Sequence, residues 1–145
     1  MARIVLAKLG SDAHDLGVTA VARWLREGGH EVVYAGLYNT PERVAQIALQ
    51  EDADLVGVSC LSSDPVYATR RMRQTLAGVG LGRVPLVVGG VVTPDMKAEL
   101  ARLGVAAVFG PGTRRGRLLE SIAGLLAGQP QAAGRSGGSE PAPPR

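Results

Sequence analysis

Apolar residues fall along the chain in short unbroken runs: Ile4-Val5-Leu6-Ala7, Leu55-Val56-Gly57-Val58, Leu86-Val87-Val88 and Val105-Ala106-Ala107-Val108-Phe109. Runs of this length are the pattern of strands buried on both faces. Glu31-Val32-Val33-Tyr34-Ala35 reads as a further strand, second in chain order. Between them the period changes. From about Leu16 to Glu27, Val18, Val21, Ala22 and Leu25 recur at helical spacing, and Gly28-Gly29 stops that helix. Thr40-Pro41, Asp64-Pro65 and Thr93-Pro94 each pair a capping residue with a first-turn proline. They open helices that carry Val44, Ile47 and Ala48, then Val66, Met72 and Leu76, then a segment ending at Gly104. Gly110-Pro111-Gly112-Thr113 turns into a last helix that reaches about Ala127.

Five strands alternating with five helices predict an α/β domain, an open parallel sheet with helices on both faces. Right-handed crossovers leave few strand orders, of which the flavodoxin-like 2-1-3-4-5 is the commonest for this count. The domain is expected over 1–127. Residues 128–145 are dominated by Gly, Pro, Ser and Ala and are expected to form a disordered tail.

Composition narrows the class. Apolar residues make up 46% of the 145 and aromatics only 3%, so aliphatic side chains must fill the core. No apolar run approaches the roughly 20 residues that cross a bilayer. The start reads as a strand rather than a signal peptide. The single cysteine, Cys60, excludes an intrachain disulfide and a Cys-based zinc site. These features lead to the expectation of a cytoplasmic protein without a membrane partner. A net charge of +3 and a pI near 9.5 raise the question of nucleic acid. The basic excess lies in Arg70, Arg71 and Arg73 and in Arg114, Arg115 and Arg117, without the aromatics that would stack on bases. Nucleic acid is not expected; the arginines suit a solvated face or a docking surface.

In open parallel sheets, ligands bind beyond the carboxyl ends of the strands. The loops predicted at that edge have unusual compositions. They are Gly10-Ser11-Asp12-Ala13-His14-Asp15-Leu16-Gly17, Ser59-Cys60-Leu61, Gly89-Gly90 and Gly110-Pro111-Gly112. A histidine two residues after an aspartate is set up to coordinate a metal with one nitrogen while the other donates to the carboxylate. No G-x-G-x-x-G or G-K-[ST] cradle for phosphates is present. A response regulator's strand-5 lysine and acidic cluster are missing too. Ser59 and Cys60 sit on a loop next to His14, so a nucleophile with a histidine base remains open, although Ser59 lacks the G-x-S-x-G elbow. A zinc or iron site would need further ligands, and His30 is predicted at the opposite edge of the sheet. One available histidine suits a metal whose other ligands come from a macrocycle.

The run Ala7–Gly17, with Ser59-Cys60-Leu61 and Gly89-Gly90, resembles the D-x-H-x-x-G…S-x-L…G-G pattern of cobalamin-binding domains. The resemblance is to those of adenosylcobalamin-dependent acyl-CoA mutases (methylmalonyl-CoA, isobutyryl-CoA and 2-hydroxyisobutyryl-CoA mutases), and it extends from about Arg3 to Leu126. It implies that cobalamin binds base-off, with His14 as lower cobalt ligand and Asp12 as its orienting partner, Lys8 lying close to the pair. It also implies that the displaced nucleotide tail threads a slot lined by Ser59, Leu61, Gly89 and Gly90. Gly17 closes the first motif and Gly110 lies on the rim. Where the family reads D-G-H-D-R-G this chain has Ala13 and Leu16, and Ser62-Ser63-Asp64-Pro65-Val66-Tyr67 departs from the usual residues after S-x-L.

The resemblance implies a small subunit of a two-subunit mutase, an isomerase, inactive alone. Its partner would be a large (β/α)8 subunit that binds the acyl-CoA and closes over adenosylcobalamin. The alternative is a stand-alone cobalamin carrier, sensor or corrinoid methyl-transfer module. The last usually carries a helical cap domain before the cobalamin domain, whereas strand 1 is expected here from residue 3.

Overall fold

The computed structural model describes residues 2–9, 16–37, 39–60 and 64–128. Strands and helices alternate: β1 (Arg3–Lys8), α1 (Leu16–Glu27), β2 (Glu31–Tyr34), α2 (Pro41–Gln50), β3 (Leu55–Ser59), α3 (Pro65–Gly78), β4 (Leu86–Gly89), α4 (Pro94–Arg102), β5 (Ala107–Phe109) and α5 (Arg115–Ala127). The strands are parallel in the order β2-β1-β3-β4-β5, the flavodoxin-like order expected for five strands alternating with five helices. Residues 129–145, most of the expected tail, lie outside the described residues.

The proline-led helices are capped as their sequences require. Thr40 Oγ1 accepts from Arg43 N at 3.2 Å, and Asp64 Oδ1 from Val66 N and Tyr67 N at 3.0 and 3.2 Å. Thr93 Oγ1 accepts from Met96 N at 3.1 Å. Each satisfies a donor that the helix itself leaves unpaired. One strand differs from its apolar run. Val105 N donates to Leu100 O at 3.1 Å, closing the turn after α4, and the backbone reaches β4 only from Ala106 N, which donates to Leu86 O at 2.8 Å. β5 therefore starts at Ala107 and not at Val105. β3 and β4 instead run on through Ser59 and Gly89.

Side chains alternate across the sheet and build two separate cores. Val5, Ala7, Val56, Val58, Leu86 and Val88 pack against Val44 and Ala48 of α2 and Met72 and Leu76 of α3. On the other face Ile4, Leu6, Leu55 and Val87 meet Val18, Ala22 and Leu25 of α1 and Leu118, Ile122 and Leu126 of α5. A fully buried side chain of this size contributes about 1.5–3 kcal/mol. Among the described residues no helix is long and apolar enough to cross a membrane.

The arginine clusters mostly serve the chain itself. Arg73 is half-buried and donates to Val84 O and Leu81 O at 3.0 and 2.9 Å, holding the connection from α3 to β4. Arg71 pairs with Glu42 at 2.6 Å, Arg70 with Glu99 at 4.0 Å and Arg115 with Glu27 at 3.2 Å. Arg102 also pairs with Glu99, and it is the main reason that this carboxyl titrates below its usual range.

Buried Asn39 fastens the carboxyl end of β1. Its Nδ2 donates to Lys8 O at 3.1 Å and to Gly36 O at 2.7 Å, its backbone N also reaches Lys8 O, and its Oδ1 accepts from Arg43 Nε at 2.9 Å. Asn39→Ala removes three side-chain hydrogen bonds, to Lys8 O, to Gly36 O and from Arg43 Nε, while both carbonyls keep a backbone donor. It should cost about 1–3 kcal/mol, read as a lower urea midpoint at unchanged slope.

At the opposite edge, His30 Nδ1 is buried with no hydrogen-bond partner among the described residues. Burial lowers the imidazole pKa below its ordinary 6.5, the charge of the amino terminus acts the same way, and Asp54 opposes them. The unfolded chain therefore takes the proton first. Stability contributed by neutral His30 should fall as pH drops through about 6.5 and level off below the folded-state pKa. Comparing urea midpoints between pH 7.5 and 5.5, about a unit either side of that value, wild type should lose more stability than His30→Gln.

Candidate functional site

In-register pairing aligns residues that are far apart in sequence. Lys8 pairs with Ser59, Ser59 with Gly89, and Gly89 with Phe109. One pleat nearer the amino ends, Leu6 pairs with Gly57, Gly57 with Val87, and Val87 with Ala107. Both rows face α1 and α5, because Leu6 and Val87 belong to the core on that side. Bulk is missing where it would normally meet the helices: at Ser59 and Gly89 in one row and at Gly57 in the other.

The result is a cavity of about 340 Å³, within the range of small-molecule sites. It extends from Leu55, the first residue of β3, to the loops beyond the carboxyl ends, a rise of about 13 Å along the strand. Gly17, Val21 and Trp24 of α1 form one wall, Leu118 and Ile122 of α5 another. Gly90 and the turn Gly110-Pro111-Gly112-Thr113 complete the lining.

The surface is almost wholly apolar. Besides the Trp24 indole, the polar side chains in the lining are Lys8, Ser59 and Thr113. The Thr113 hydroxyl donates to Gly110 O at 2.7 Å, within its own turn. Lys8 is 1% exposed, and a buried ammonium requires anionic or dipolar company. Gly90 adopts φ 153° while its N donates to Phe109 O at 3.1 Å, a backbone state that only glycine takes without strain. Cys60 is buried and is not part of the lining, which suits a small core residue rather than a nucleophile facing a ligand.

Of the residues singled out from the sequence, Lys8, Gly17, Ser59, Gly89, Gly90 and Gly110 all line this one cavity. Asp12, His14 and Leu61 lie outside the described residues. Among the described residues no group of three or more His, Cys, Asp or Glu could hold a metal. Sequence reasoning missed Gly57, Trp24, Leu118 and Ile122. Trp24 was within reach, since Gly17, Val21 and Trp24 follow an i, i+4, i+7 spacing that begins at the last glycine of the D-x-H-x-x-G motif.

A family model of the B12 binding domain matches residues 2–119. The chain belongs to the B12-binding domain family. It is 39% identical over 123 residues to the pivalyl-CoA mutase small subunit of Xanthobacter autotrophicus, covering 85% of this chain and 82% of that one. It is 40% identical over 125 residues to the 2-hydroxyisobutanoyl-CoA mutase small subunit of Aquincola tertiaricarbonis, covering 86% and 92%. Among solved structures, a cobalamin-binding protein from Desulfitobacterium hafniense DCB-2 shares the fold. Its TM-score is 0.71 at 20% identity, over 86% of this chain and 58% of that one.

The apolar lining suits a flat aromatic group such as the base that a cobalamin carries. A Cβ placed on Gly89 would meet only Phe109 O, at 3.8 Å, and one on Gly110 only Gly90 O, at 3.9 Å. A larger side chain at half-buried Gly89 would extend into the cavity it lines, whereas Gly110 is exposed at the rim. Trp24, the chain's single tryptophan, reports on occupancy. Titration with hydroxocobalamin should quench its fluorescence, and Gly89→Leu should abolish the quenching while leaving the melting temperature close to that of wild type.

Proposed function

We propose that this chain is the cobalamin-binding small subunit of a two-subunit adenosylcobalamin-dependent acyl-CoA mutase, inactive without a large (β/α)8 subunit that holds the acyl-CoA. The observation that carries the reading is the apolar cavity running down β3, lined by Gly17, Ser59, Gly89 and Gly90, the described members of the D-x-H-x-x-G, S-x-L and G-G motifs. Support also comes from two mutase small subunits that this chain matches over most of their length.

When bound, adenosylcobalamin supplies the radical chemistry of carbon-skeleton rearrangement. The chain's own part is to hold and orient. His14 would provide the lower cobalt ligand in place of the cofactor's dimethylbenzimidazole. Asp12 would accept the other imidazole N–H and so fix tautomer and ring direction. Lys8, the last residue of β1, would lie close to that pair. The displaced tail would occupy the cavity against Ser59, Leu61, Gly89 and Gly90, with Gly17 and Gly110 at its rim. The largely apolar walls of α1 and α5 would shield it from water.

Electron paramagnetic resonance of cob(II)alamin bound to protein labelled with nitrogen-15 histidine tests this directly. The expected spectrum carries superhyperfine splitting from a labelled histidine nitrogen, lost in His14→Ala. Retained dimethylbenzimidazole ligation, or no binding, would sink the proposal.

A further inference from the structure

Gly57 stands in the middle of β3, with Leu6 of β1 and Val87 of β4 as its register partners on either side. All three line the cavity. A Cβ on Gly57 would lie 2.7 Å from Leu6 Cδ2 and 3.2 Å from Val87 Cγ2. These two side chains therefore lie down over the glycine and form the sheet-side floor of the cavity midway along β3, between Ser59 and Leu55. With a larger residue at this position both must move. Ile4, 0% exposed in the same core cluster, backs them on the sheet, and Leu55 lines the same cavity, so the free direction is into the cavity. Gly89 differs: a side chain there touches nothing closely and intrudes near the loops, whereas Gly57 governs the floor.

We infer that Gly57 is a specificity-determining residue. By letting Leu6 and Val87 lie flat it sets the cavity's depth from the helices α1 and α5 down to the sheet, and with it the largest aromatic base that the nucleotide tail of a cobamide can carry. The inference rests on the reading of the cavity as the site of that tail. A substituent on Gly57 should act as a raised floor, its effect growing with the size of the base and vanishing for a corrinoid with no tail.

The test is visible-absorbance titration of the full chain, which follows the corrin ring itself, with three corrinoids: cobinamide, which has no nucleotide tail, a benzimidazole cobamide, and cobalamin with its larger dimethylbenzimidazole. Gly57→Ala should weaken cobalamin roughly ten- to a hundredfold, the range of overpacking in a well-packed site. It should weaken the benzimidazole cobamide less and leave cobinamide within about twofold, well inside the tenfold that 1.4 kcal/mol represents. Leu6→Val in the same chain removes the atom that the new Cβ meets and should restore most of the loss. Unchanged cobalamin affinity, an equal loss for all three corrinoids, or no restoration by Leu6→Val overturns the inference. Should Gly57→Ala fail to fold by circular dichroism, wild type decides with a naphthimidazole cobamide: rejection relative to cobalamin supports a fixed depth, and equal binding overturns it. A wild type that binds none of these corrinoids removes the functional reading itself, which is distinct from a wild type that binds while Gly57→Ala makes no difference.

Discussion

In-register pairing of parallel strands is the constraint on which the rest of this structure depends. Because β1, β3, β4 and β5 run the same way without slippage, every second residue of each falls into a common row facing α1 and α5. Residues from four distant parts of the chain thus decide together how closely a helix can approach the sheet. Near the amino ends the rows are filled by Ile4 and Leu55, and the helices seat on them. Toward the carboxyl ends the rows pass through Gly57, Ser59 and Gly89, and the helices stand off.

A space of this kind forfeits dispersion contacts along its whole lining. The chain offsets that loss in places that do not occupy the space. Leu126 of α5 and Ala22 of α1 are buried against the same sheet face without being part of the lining. Arg115 and Glu27 join the two helices at the surface, a contact of small energy but useful geometry. Asn39 holds the end of β1, so that the strand leading into the D-x-H-x-x-G loop is anchored by hydrogen bonds independent of anything bound there.

Much of this was legible in the sequence because it rests on local chemistry. Apolar runs gave the strands, and Thr40-Pro41, Asp64-Pro65 and Thr93-Pro94 gave the helix starts, each satisfied by one side chain and one proline. β5 was overestimated because Val105 is apolar but spends its N–H on the end of α4, a competition that hydrophobicity cannot register. The glycines after strand ends stood out by position. Gly57 did not, since a glycine inside an apolar run acquires meaning only when pairing places Leu6 and Val87 beside it. The same holds for Leu118 and Ile122, whose spacing announces an ordinary core face and says nothing of the gap they border.

The two cores share no side chain: one is built with α2 and α3, the other with α1 and α5, and the sheet stands between them. That partition has an architectural consequence. In a domain with one continuous interior, a hollow loosens everything around it. Here the sheet acts as a bulkhead: the compartment holding α2 and α3 is packed independently, and the hollow is confined to the other. The chain can therefore keep a permanently roomy compartment without forfeiting a rigid frame, and ordering contributed by an occupant would be felt first in α1 and α5.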